Sequence, residues 1–246
     1  MRPIVKAKVG SAVTYVDSQG HTVNHVVQEY YADYKEAKLP LVGNLGPYCS
    51  YCERQLLASD LAVEHIEPKS KNGKETEWAD FLIACNVCNG VKKDSVADRD
   101  SHWPHLNNTF LSFIYDNTGR IKVNPDLSAQ SRAHAQKLLD LIHLQRCPDS
   151  SDIPTEMDFR WCKRYETWNK ATRQKELYLH RSINEEDVIT MAKSSGYWSV
   201  WFTVFAGVDV ILSRLISDFP GTCASCFDKD NHYAPIERNP GCDDPV

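Results

Sequence analysis

The chain has 246 residues, of which 42% are hydrophobic and 25% are charged, and its formal net charge is −5 with a pI near 6.0. This composition is ordinary for a globular protein of one compact unit or two small ones, and it excludes a disordered or fibrous chain. The acidic balance argues against a protein that holds nucleic acid by bulk electrostatics, so any hold on phosphate must come from local patches or from a partner.

Residues 1–44 are predicted to form a small hairpin and a helix. A short β-like run precedes a turn at residues 18–20, which is typical of a hairpin. From Val23 to Lys38 the apolar residues recur at helical spacing, and Pro40 and Gly43 are expected to end that helix. We expect this N-terminal segment to brace the part of the chain that follows.

Residues 45–95 contain two Cys-x-x-Cys pairs, Cys49/Cys52 and Cys85/Cys88. Two closely spaced thiolates on a tight turn supply half of a tetrahedral zinc shell, and a second such turn completes it. Four sulfurs leave no open position, so the predicted zinc is structural and fastens two loops that have little core of their own. The alternatives are ordinary buried thiols or, in a secreted protein, disulfides.

The stretch Glu64-His65-Ile66 lies between the pairs in a short predicted strand, and Asn89 begins a predicted helix after the second pair. A neutral imidazole can activate water at cellular pH, although a histidine taken alone is more often packed or on the surface. One Mg²⁺ or Mn²⁺ held by carboxylate and amide oxygens supplies charge at the leaving oxygen. Lys92 and Lys93 are candidates to hold a phosphate oxygen, with a solvated helix face as the alternative.

The order Cys-x-x-Cys, Glu-His-Ile-x-Pro and Cys-x-x-Cys-Asn-x-x-Lys resembles an HNH endonuclease with the ββα-metal fold. The resemblance implies that His65 is the general base and that Glu64 and Asn89 hold the catalytic divalent cation. It also implies a four-cysteine zinc that holds the fold. The chain departs from the family pattern at Asp80, which stands where a middle Asn often lies, and at Glu64, where Asp is commoner.

Residues 96–150 are predicted to extend this core. The polar segment 98–108 is expected to be a capped surface loop, with lining of the substrate cleft as the alternative. It carries His102, Trp103 and His105. Residues 110–123 read as a second hairpin, and an amphipathic helix from Ser128 to Gln145 follows.

Residues 151–246 are predicted to be mainly helical and to offer a docking surface for a partner. Residues 160–181 hold seven basic and two acidic side chains. On a helical wheel an aromatic and apolar stripe, expected to pack in the core, lies opposite a basic stripe. The first comprises Trp161, Tyr165, Trp168 and Leu179, and the second Lys163, Lys170 and Arg181. The basic stripe is a candidate for nucleic-acid contact, against a solvated face or an acidic partner surface.

The rest of this region contains three further signals. Ser182 and Glu185 have the spacing of a capping box that starts another helix. The run from Tyr197 to Leu212 is apolar but too short for a membrane span, so a buried helix is expected, with a partner-binding helix as the alternative. A third pair, Cys223/Cys226, is expected to hold idle thiols, since its spacing to His232 and Cys242 in the tail matches no zinc pattern that we can defend. Nine cysteines without a signal peptide predict a reducing cytoplasm.

A closer resemblance reaches beyond the motif itself. The segments concerned are Met1-Arg2-Pro3-Ile4, Leu45 to Glu53, Val63 to Lys69, Trp78, and Ala84 to Asn89. They resemble the PtuB-type nucleases of bacterial anti-phage systems. In that family the nuclease is encoded beside a PtuA ATPase in Septu systems, and in some retrons beside a reverse transcriptase and its DNA-RNA hybrid. The resemblance implies an effector subunit of a defence complex.

The sequence thus predicts an α+β, mainly helical protein. Its centre is a ββα-metal HNH core with a four-cysteine zinc knuckle, flanked by an N-terminal helix and a C-terminal helical region. Two alternatives remain: a stand-alone HNH nuclease of a mobile element or restriction system, and a non-catalytic zinc-binding interaction module. The presence of both His65 and Asn89 argues against the module.

Overall fold

A computed structural model describes residues 1–72, 74–96 and 98–246. In that part of the chain, helices surround four two-stranded antiparallel sheets, which confirms the predicted mixture of α and β elements. The strands are β1 (Ala12–Val16), β2 (Thr22–Val26), β3 (Leu61–His65), β4 (Phe81–Cys85), β5 (Phe113–Tyr115), β6 (Ile121–Val123), β7 (Phe227–Asp228) and β8 (Ala234–Pro235). The helices are α1 (Lys38–Leu45), α2 (Lys69–Asn72), α3 (Asn86–Lys92), α4 (Thr109–Ser112), α5 (Ala129–Ile142), α6 (Arg160–Leu179), α7 (Glu185–Ser195), α8 (Trp198–Val204) and α9 (Asp209–Asp218).

The strand β3, the strand β4 and the helix α3 form one ββα unit. β3 and β4 pair antiparallel, with His65 opposite Phe81 at one end and Leu61 opposite Cys85 at the other. All five residues of β4 are buried, so this strand reads as a continuous apolar run rather than as an alternation. Cys85 ends β4 and caps α3, because its sulfur accepts a hydrogen bond from the Cys88 amide. The unit therefore places the end of β3 beside the helix that follows the second cysteine pair.

The predicted N-terminal hairpin is confirmed, and the predicted helix from Val23 to Lys38 is wrong. Val23 belongs to β2 and lies opposite Tyr15 of β1. A 3₁₀ turn at Tyr34–Ala37 follows, and α1 begins only at Lys38. Over a few residues the hydrophobic pattern of a strand is hard to distinguish from that of a helix. Pairing with β1 therefore determines that this region is a strand.

Two residues expected to end a helix lie inside α1. Pro40 is tolerated because it stands in the first turn, where its missing N–H has no partner within the helix. Gly43 permits close packing of α1 on β1, because a Cβ at this position would come within 2.7 Å of the Thr14 carbonyl oxygen. The result is a helix that packs against the hairpin and also contacts β3 and β4, although it is formed by residues other than the predicted ones.

The buried apolar residues form two clusters. One draws on residues between Met1 and Leu144 together with Tyr197 and Val200, and the other mainly on residues between Ala171 and Phe227. Tyr48 of the first cysteine loop belongs to the second cluster, while Val204 packs against both. The apolar run from Tyr197 is buried as predicted, although it forms two helices, α8 and α9, rather than one. The domain boundary near residue 150 stays a prediction.

The helix α6 buries a face that belongs to neither predicted stripe, while Lys163 and Lys170 of the basic stripe are exposed. Its buried residues are Arg160, Arg164, Thr167 and Ala171, whereas Tyr165 and Leu179 of the aromatic stripe are 43% and 62% exposed. The two arginines reach the end of α5: Arg160 donates to the carbonyls of residues 142 and 143, and Arg164 to that of residue 144. Carbonyls at a helix C-terminus have no partner within the helix and attract cations, which explains why charge lies inward here.

Of the smaller predictions for the second half of the chain, some are confirmed and others are wrong. The hairpin of β5 and β6 and the helix α5, capped by Ser128, are confirmed. The capping box of α7 is formed by Asn184 and Asp187, two residues later than predicted. The segment 98–108 is not a surface loop, because His102 and Trp103 are 0% and 2% exposed. No helix in the described ranges is both long and apolar enough to cross a membrane.

Candidate active site

Four cysteine sulfurs meet between the first cysteine loop and the start of α3. The sulfurs of Cys49, Cys52, Cys85 and Cys88 lie within 4.8 Å of one another, and all four residues are buried and free of disulfides. The Cys52 and Cys85 sulfurs are 3.7 Å apart. A tetrahedral zinc with bonds of about 2.3 Å separates its sulfurs by roughly 3.8 Å, so the donor set fits this metal. The predicted ligand set is brought together.

The charge state of these sulfurs supports a metal. Hydrogen bonds from the Cys49 and Cys52 thiols hold the pKa of Cys85 far below its ordinary value, whereas burial raises the pKa of Cys52. Without a cation, a single buried thiolate must accept hydrogen bonds from the neighbouring thiols, because burial disfavours further negative charge. A zinc ion removes that conflict, since it stabilises all four sulfurs as thiolates.

The cysteine loop is fixed to both sides of the molecule. The Ser50 amide donates to the Ile83 carbonyl of β4 at 2.8 Å. On the other side the Glu53 carboxylate accepts from the Ser199 hydroxyl at 2.6 Å, and the Glu53 carbonyl accepts from the Tyr197 amide at 2.8 Å. The zinc knuckle therefore joins the ββα unit to α8.

A cleft of about 460 Å³ opens beside the knuckle at the end of β3. Its lining includes all the residues that the sequence proposed for catalysis: Glu64, His65, Asn89, Lys92 and Lys93. Strand pairing and the zinc-tied start of α3 bring together positions that are about 25 residues apart in the chain. The remaining walls come from the 3₁₀ turn, through Tyr34, and from α2, through Lys69.

His65 is held so that one of its ring nitrogens has a free lone pair. Its Nε2 lies 3.0 Å from the backbone oxygen of Glu75, which can only accept, so Nε2 carries the hydrogen. In the neutral ring Nδ1 is then the basic nitrogen, and it makes no hydrogen bond to a described residue. Burial lowers the pKa of His65, so the ring is neutral at pH 7. The edges of Tyr34 and Phe81 fix its orientation, with ring centroids 5.2 and 5.1 Å away.

Glu64 uses one oxygen for structure and leaves the other uncommitted. Its Oε1 pairs with the Lys92 ammonium at 2.9 Å and accepts from the Tyr51 hydroxyl at 3.4 Å. Burial raises the pKa of this carboxyl, and the Lys92 charge opposes that rise. Oε2 makes no hydrogen bond or ion pair to a described residue, although Glu64 lines the cleft. It is thus available as a single-oxygen ligand for a hard cation.

Asn89 supplies the second oxygen donor of the cleft. It lies on α3, it is exposed, and its side chain makes no hydrogen bond to a described residue. An amide oxygen and a carboxylate oxygen are the donor types that Mg²⁺ and Mn²⁺ prefer, and these ions keep several waters. Glu64 and Asn89 therefore fit the predicted catalytic cation.

The two lysines of α3 have different surroundings. Lys92 is 1% exposed, and its ammonium donates to the His65 carbonyl at 2.7 Å besides pairing with Glu64. This placement disagrees with the predicted phosphate role for Lys92, because its charge is already compensated. Lys93 lies one residue later at φ 47°, is exposed, and forms no ion pair with a described residue. At the end of α3 the first of these two lysines is thus buried and paired, whereas the second is exposed.

Sequence reasoning missed three residues of the site. The Lys69 ammonium lies 3.2 Å from the ring centroid of Tyr34 and 3.1 Å from a Glu75 carboxylate oxygen. Tyr51, next to a zinc ligand, holds Glu64. Lys69 could have been found from the sequence, because it directly follows Pro68 of the Glu-His-Ile-x-Pro motif. Tyr34 could not, because it comes from the N-terminal segment 31 residues before His65.

Asp80 fastens the loop that leaves β3 and does not line the cleft. Its Oδ1 accepts from the Glu67 amide at 3.0 Å, and its carbonyl accepts from the Ile66 amide at 2.9 Å. Its Oδ2 is buried without a hydrogen-bond partner among the described residues. Burial raises the pKa of this carboxyl to about 6. Asp80, which stands where the family's middle Asn often lies, therefore has a structural role in this chain.

We expect Asp80→Asn to remove a pH dependence of stability. The native pKa lies above the unfolded value, so Asp80 favours folding below about pH 4, and this contribution is lost as the pH rises through 6. Two pKa units correspond to roughly 3 kcal/mol. We measure the free energy of unfolding by denaturant between pH 4.5 and 8. The value for the variant, relative to that for wild type, should rise by about 1–3 kcal/mol towards pH 8. Asp126→Asn, at an exposed carboxylate, is the control. Parallel curves for wild type and Asp80→Asn would contradict the assignment.

Comparison with known proteins agrees with this geometry. Residues 49–95 match the family model for HNH endonuclease. The match begins at the first zinc ligand and includes β3, β4 and α3, whereas Tyr34 lies outside it. No curated protein matches the chain. Residues 49–95 are thus similar to an HNH endonuclease domain, which supports a metal-dependent nuclease.

Proposed function

We propose that this protein is a metal-dependent endonuclease that hydrolyses nucleic-acid phosphodiesters with His65 as the general base. One observation carries the proposal: the hydrogen bond from His65 Nε2 to the Glu75 carbonyl leaves Nδ1 as a free base in a cleft that also contains Glu64 and Asn89. An imidazole that is neutral, oriented and exposed to substrate on one nitrogen is what activation of water requires.

In the proposed reaction His65 Nδ1 removes a proton from a water molecule. The resulting hydroxide attacks phosphorus, and the bond from phosphorus to the leaving sugar oxygen breaks. A Mg²⁺ or Mn²⁺ held by Glu64 and Asn89 would supply positive charge to the phosphate and to that leaving oxygen. The ammonium group of Lys93, which lines the cleft and forms no ion pair with a described residue, attracts the phosphate backbone.

Lys92 has a positioning role in this scheme. A buried carboxylate without a partner would take up a proton and lose its affinity for a cation. Lys92 and Tyr51 both engage Oε1 of Glu64, so they oppose the effect of burial on this carboxyl and leave Oε2 without a partner among the described residues. The link from Lys92 to the His65 carbonyl also ties the base to α3.

Lys92 and Lys93 should therefore respond differently to substitution. Lys92→Met leaves the Glu64 carboxylate buried and unpaired, which is expected to lower the free energy of unfolding by about 3–5 kcal/mol. Lys93→Met should leave stability within about 0.5 kcal/mol of wild type. We expect it to lower kcat/KM about tenfold, or roughly 1.4 kcal/mol in transition-state binding. Denaturant unfolding and cleavage kinetics on the same preparations measure both. Equal stability losses for the two variants would contradict the structural difference.

The direct test of function is a cleavage assay with three substrates: duplex DNA, single-stranded DNA and total tRNA. Each is incubated with the purified chain in Mg²⁺, Mn²⁺ or EDTA. Cleavage that depends on the divalent ion supports the proposal. A protein that binds one of these substrates but cuts none, alone or with a partner, would instead be the non-catalytic zinc-binding module. The ordered base and the free carboxylate oxygen favour the nuclease.

We further propose that the nuclease is the effector subunit of an anti-phage defence complex with a PtuA-like ATPase, and in some systems with a reverse transcriptase and its DNA-RNA hybrid. The sequence resemblance to PtuB-type nucleases supports this role. The net charge of −5 supports it as well, since a nuclease that docks on another protein needs little bulk attraction to its substrate. Nine unpaired cysteines suit a reducing compartment, which we propose to be the cytoplasm. Cleavage that is equally strong with and without a co-expressed ATPase would favour a stand-alone HNH nuclease.

A further inference from the structure

We propose that His102, His134 and Asp244 form a second metal site, for a divalent transition-metal ion such as zinc. The site lies outside the HNH match and joins three distant parts of the chain. His102 comes from the buried segment after α3, His134 from α5, and Asp244 from the C-terminal segment. Their three donor atoms lie within 4.8 Å of one another.

The donor atoms converge on one point. The Asp244 Oδ2 atom is 2.8 Å from His102 Nε2 and 2.6 Å from His134 Nδ1. Two imidazole nitrogens and one carboxylate oxygen are a common three-ligand set for zinc, with water completing the tetrahedron. The side chains of His134 and Asp244 are 14% and 16% exposed, so water can reach the fourth position.

The outward-facing atoms of two of these ligands are held by hydroxyl groups. His102 Nδ1 lies 2.8 Å from the Ser112 hydroxyl, and Asp244 Oδ1 accepts from the Ser131 hydroxyl at 2.8 Å. Metal-binding histidines usually hydrogen-bond through the second ring nitrogen, and metal-binding carboxylates through the second oxygen. The two serines therefore orient His102 Nε2 and Asp244 Oδ2 towards the same point.

Binding requires only a small expansion of the cluster. Ligand atoms of a tetrahedral zinc with bonds of about 2.0 Å are roughly 3.3 Å apart, so Asp244 Oδ2 must move away from the two histidine nitrogens by about 0.5–0.7 Å. Asp244 lies in a segment without helix or strand, and His134 is at the surface of α5, so both side chains can move by this amount. In the metal-free form the same three groups are satisfied as a hydrogen-bonded triad.

A metal here would fasten the C-terminal segment to α5 and to the buried segment that packs behind the nuclease site. Residues 236–246 form neither helix nor strand, yet Val246 is 3% exposed. The residue after His102 is Trp103, which packs against Tyr51 with ring centroids 6.4 Å apart. Tyr51 in turn holds Glu64. A short segment with little core of its own gains most from a metal cross-link.

The test is the number of zinc ions bound per chain. The full-length protein is equilibrated with a small excess of Zn²⁺, dialysed against metal-free buffer and measured by mass spectrometry of the metal. We expect two zinc ions per wild-type chain and one per His134→Gln chain. His21→Gln removes an exposed histidine that also pairs with an aspartate, at 3.4 Å, and should retain two.

Cobalt separates this site from the four-cysteine site. Co²⁺ bound by thiolates gives strong sulfur-to-metal absorption, whereas Co²⁺ bound by nitrogen and oxygen gives only weak d–d bands. We expect both signals in wild type, and selective loss of the weak bands in His134→Gln with the thiolate absorption retained. One zinc per wild-type chain, or two in the folded His134→Gln variant, would overturn the proposal and leave a hydrogen-bonded triad. Neither result bears on nuclease activity, which is tested separately.

Discussion

Replacing His65 by alanine is expected to lower the rate of phosphodiester cleavage by about 10²–10⁴-fold while the protein remains folded and retains its zinc. The loss follows from the geometry of the ring. Among the residues that the structure describes, only His65 Nδ1 combines a free lone pair, a neutral ring at pH 7 and a place in the cleft. Rates with saturating Mg²⁺ or Mn²⁺ measure the effect, and circular dichroism and zinc content measure integrity.

Two further readouts separate a missing base from a missing packing group. The wild-type rate should fall only when the pH drops below the ordinary pKa of histidine, because burial lowers the pKa of His65 and protonation removes its lone pair. Added imidazole should restore part of the activity of His65→Ala and leave wild type unchanged. His25→Ala removes another half-buried ring, which stacks on Tyr31, and should keep full activity. A fully active His65→Ala variant would exclude His65 as the base.

Replacing Cys52 by serine is expected to unfold the nuclease core. The zinc-binding free energy of a four-cysteine site is about 10–16 kcal/mol, which equals or exceeds the net stability of a typical domain. The structure gives a second reason: the cysteine loop hydrogen-bonds to β4 through Ser50 and to Tyr197 and Ser199 through Glu53, and its release removes these links. We expect loss of the cooperative thermal transition and of one zinc ion per chain.

Thermal unfolding followed by circular dichroism, with metal analysis on the same samples, measures this effect. Cys242→Ser is the matched control, because Cys242 is exposed and far from the knuckle in the chain. It should keep both the transition and the metal. The same loss should follow in wild type when a strong chelator removes zinc, and added Zn²⁺ should reverse it. A Cys52→Ser variant with wild-type melting temperature and zinc content would contradict a structural role for the site.

The sequence alone determined the local chemistry of this protein. Two cysteine pairs predicted a ligand set that lies within 4.8 Å in the structure, because the short spacing fixes each pair on its own turn. The strand that carries His65 and the helix that carries Asn89 were predictable for the same reason, since both follow from a few adjacent residues. Their common cleft then followed from the four cysteines, which bring the two loops together.

The tertiary structure decided everything that depends on a distant partner. The region from Val23 became a strand because β1 pairs with it, and α6 turned its arginines inward because the carbonyls of α5 end there. Lys92 and Lys93 are adjacent and chemically alike. Only the buried Glu64 carboxylate, 28 residues before Lys92 in the chain, separates a positioning residue from a substrate-facing one. Burial and long-range pairing set these outcomes, and neither can be read from a single stretch of sequence.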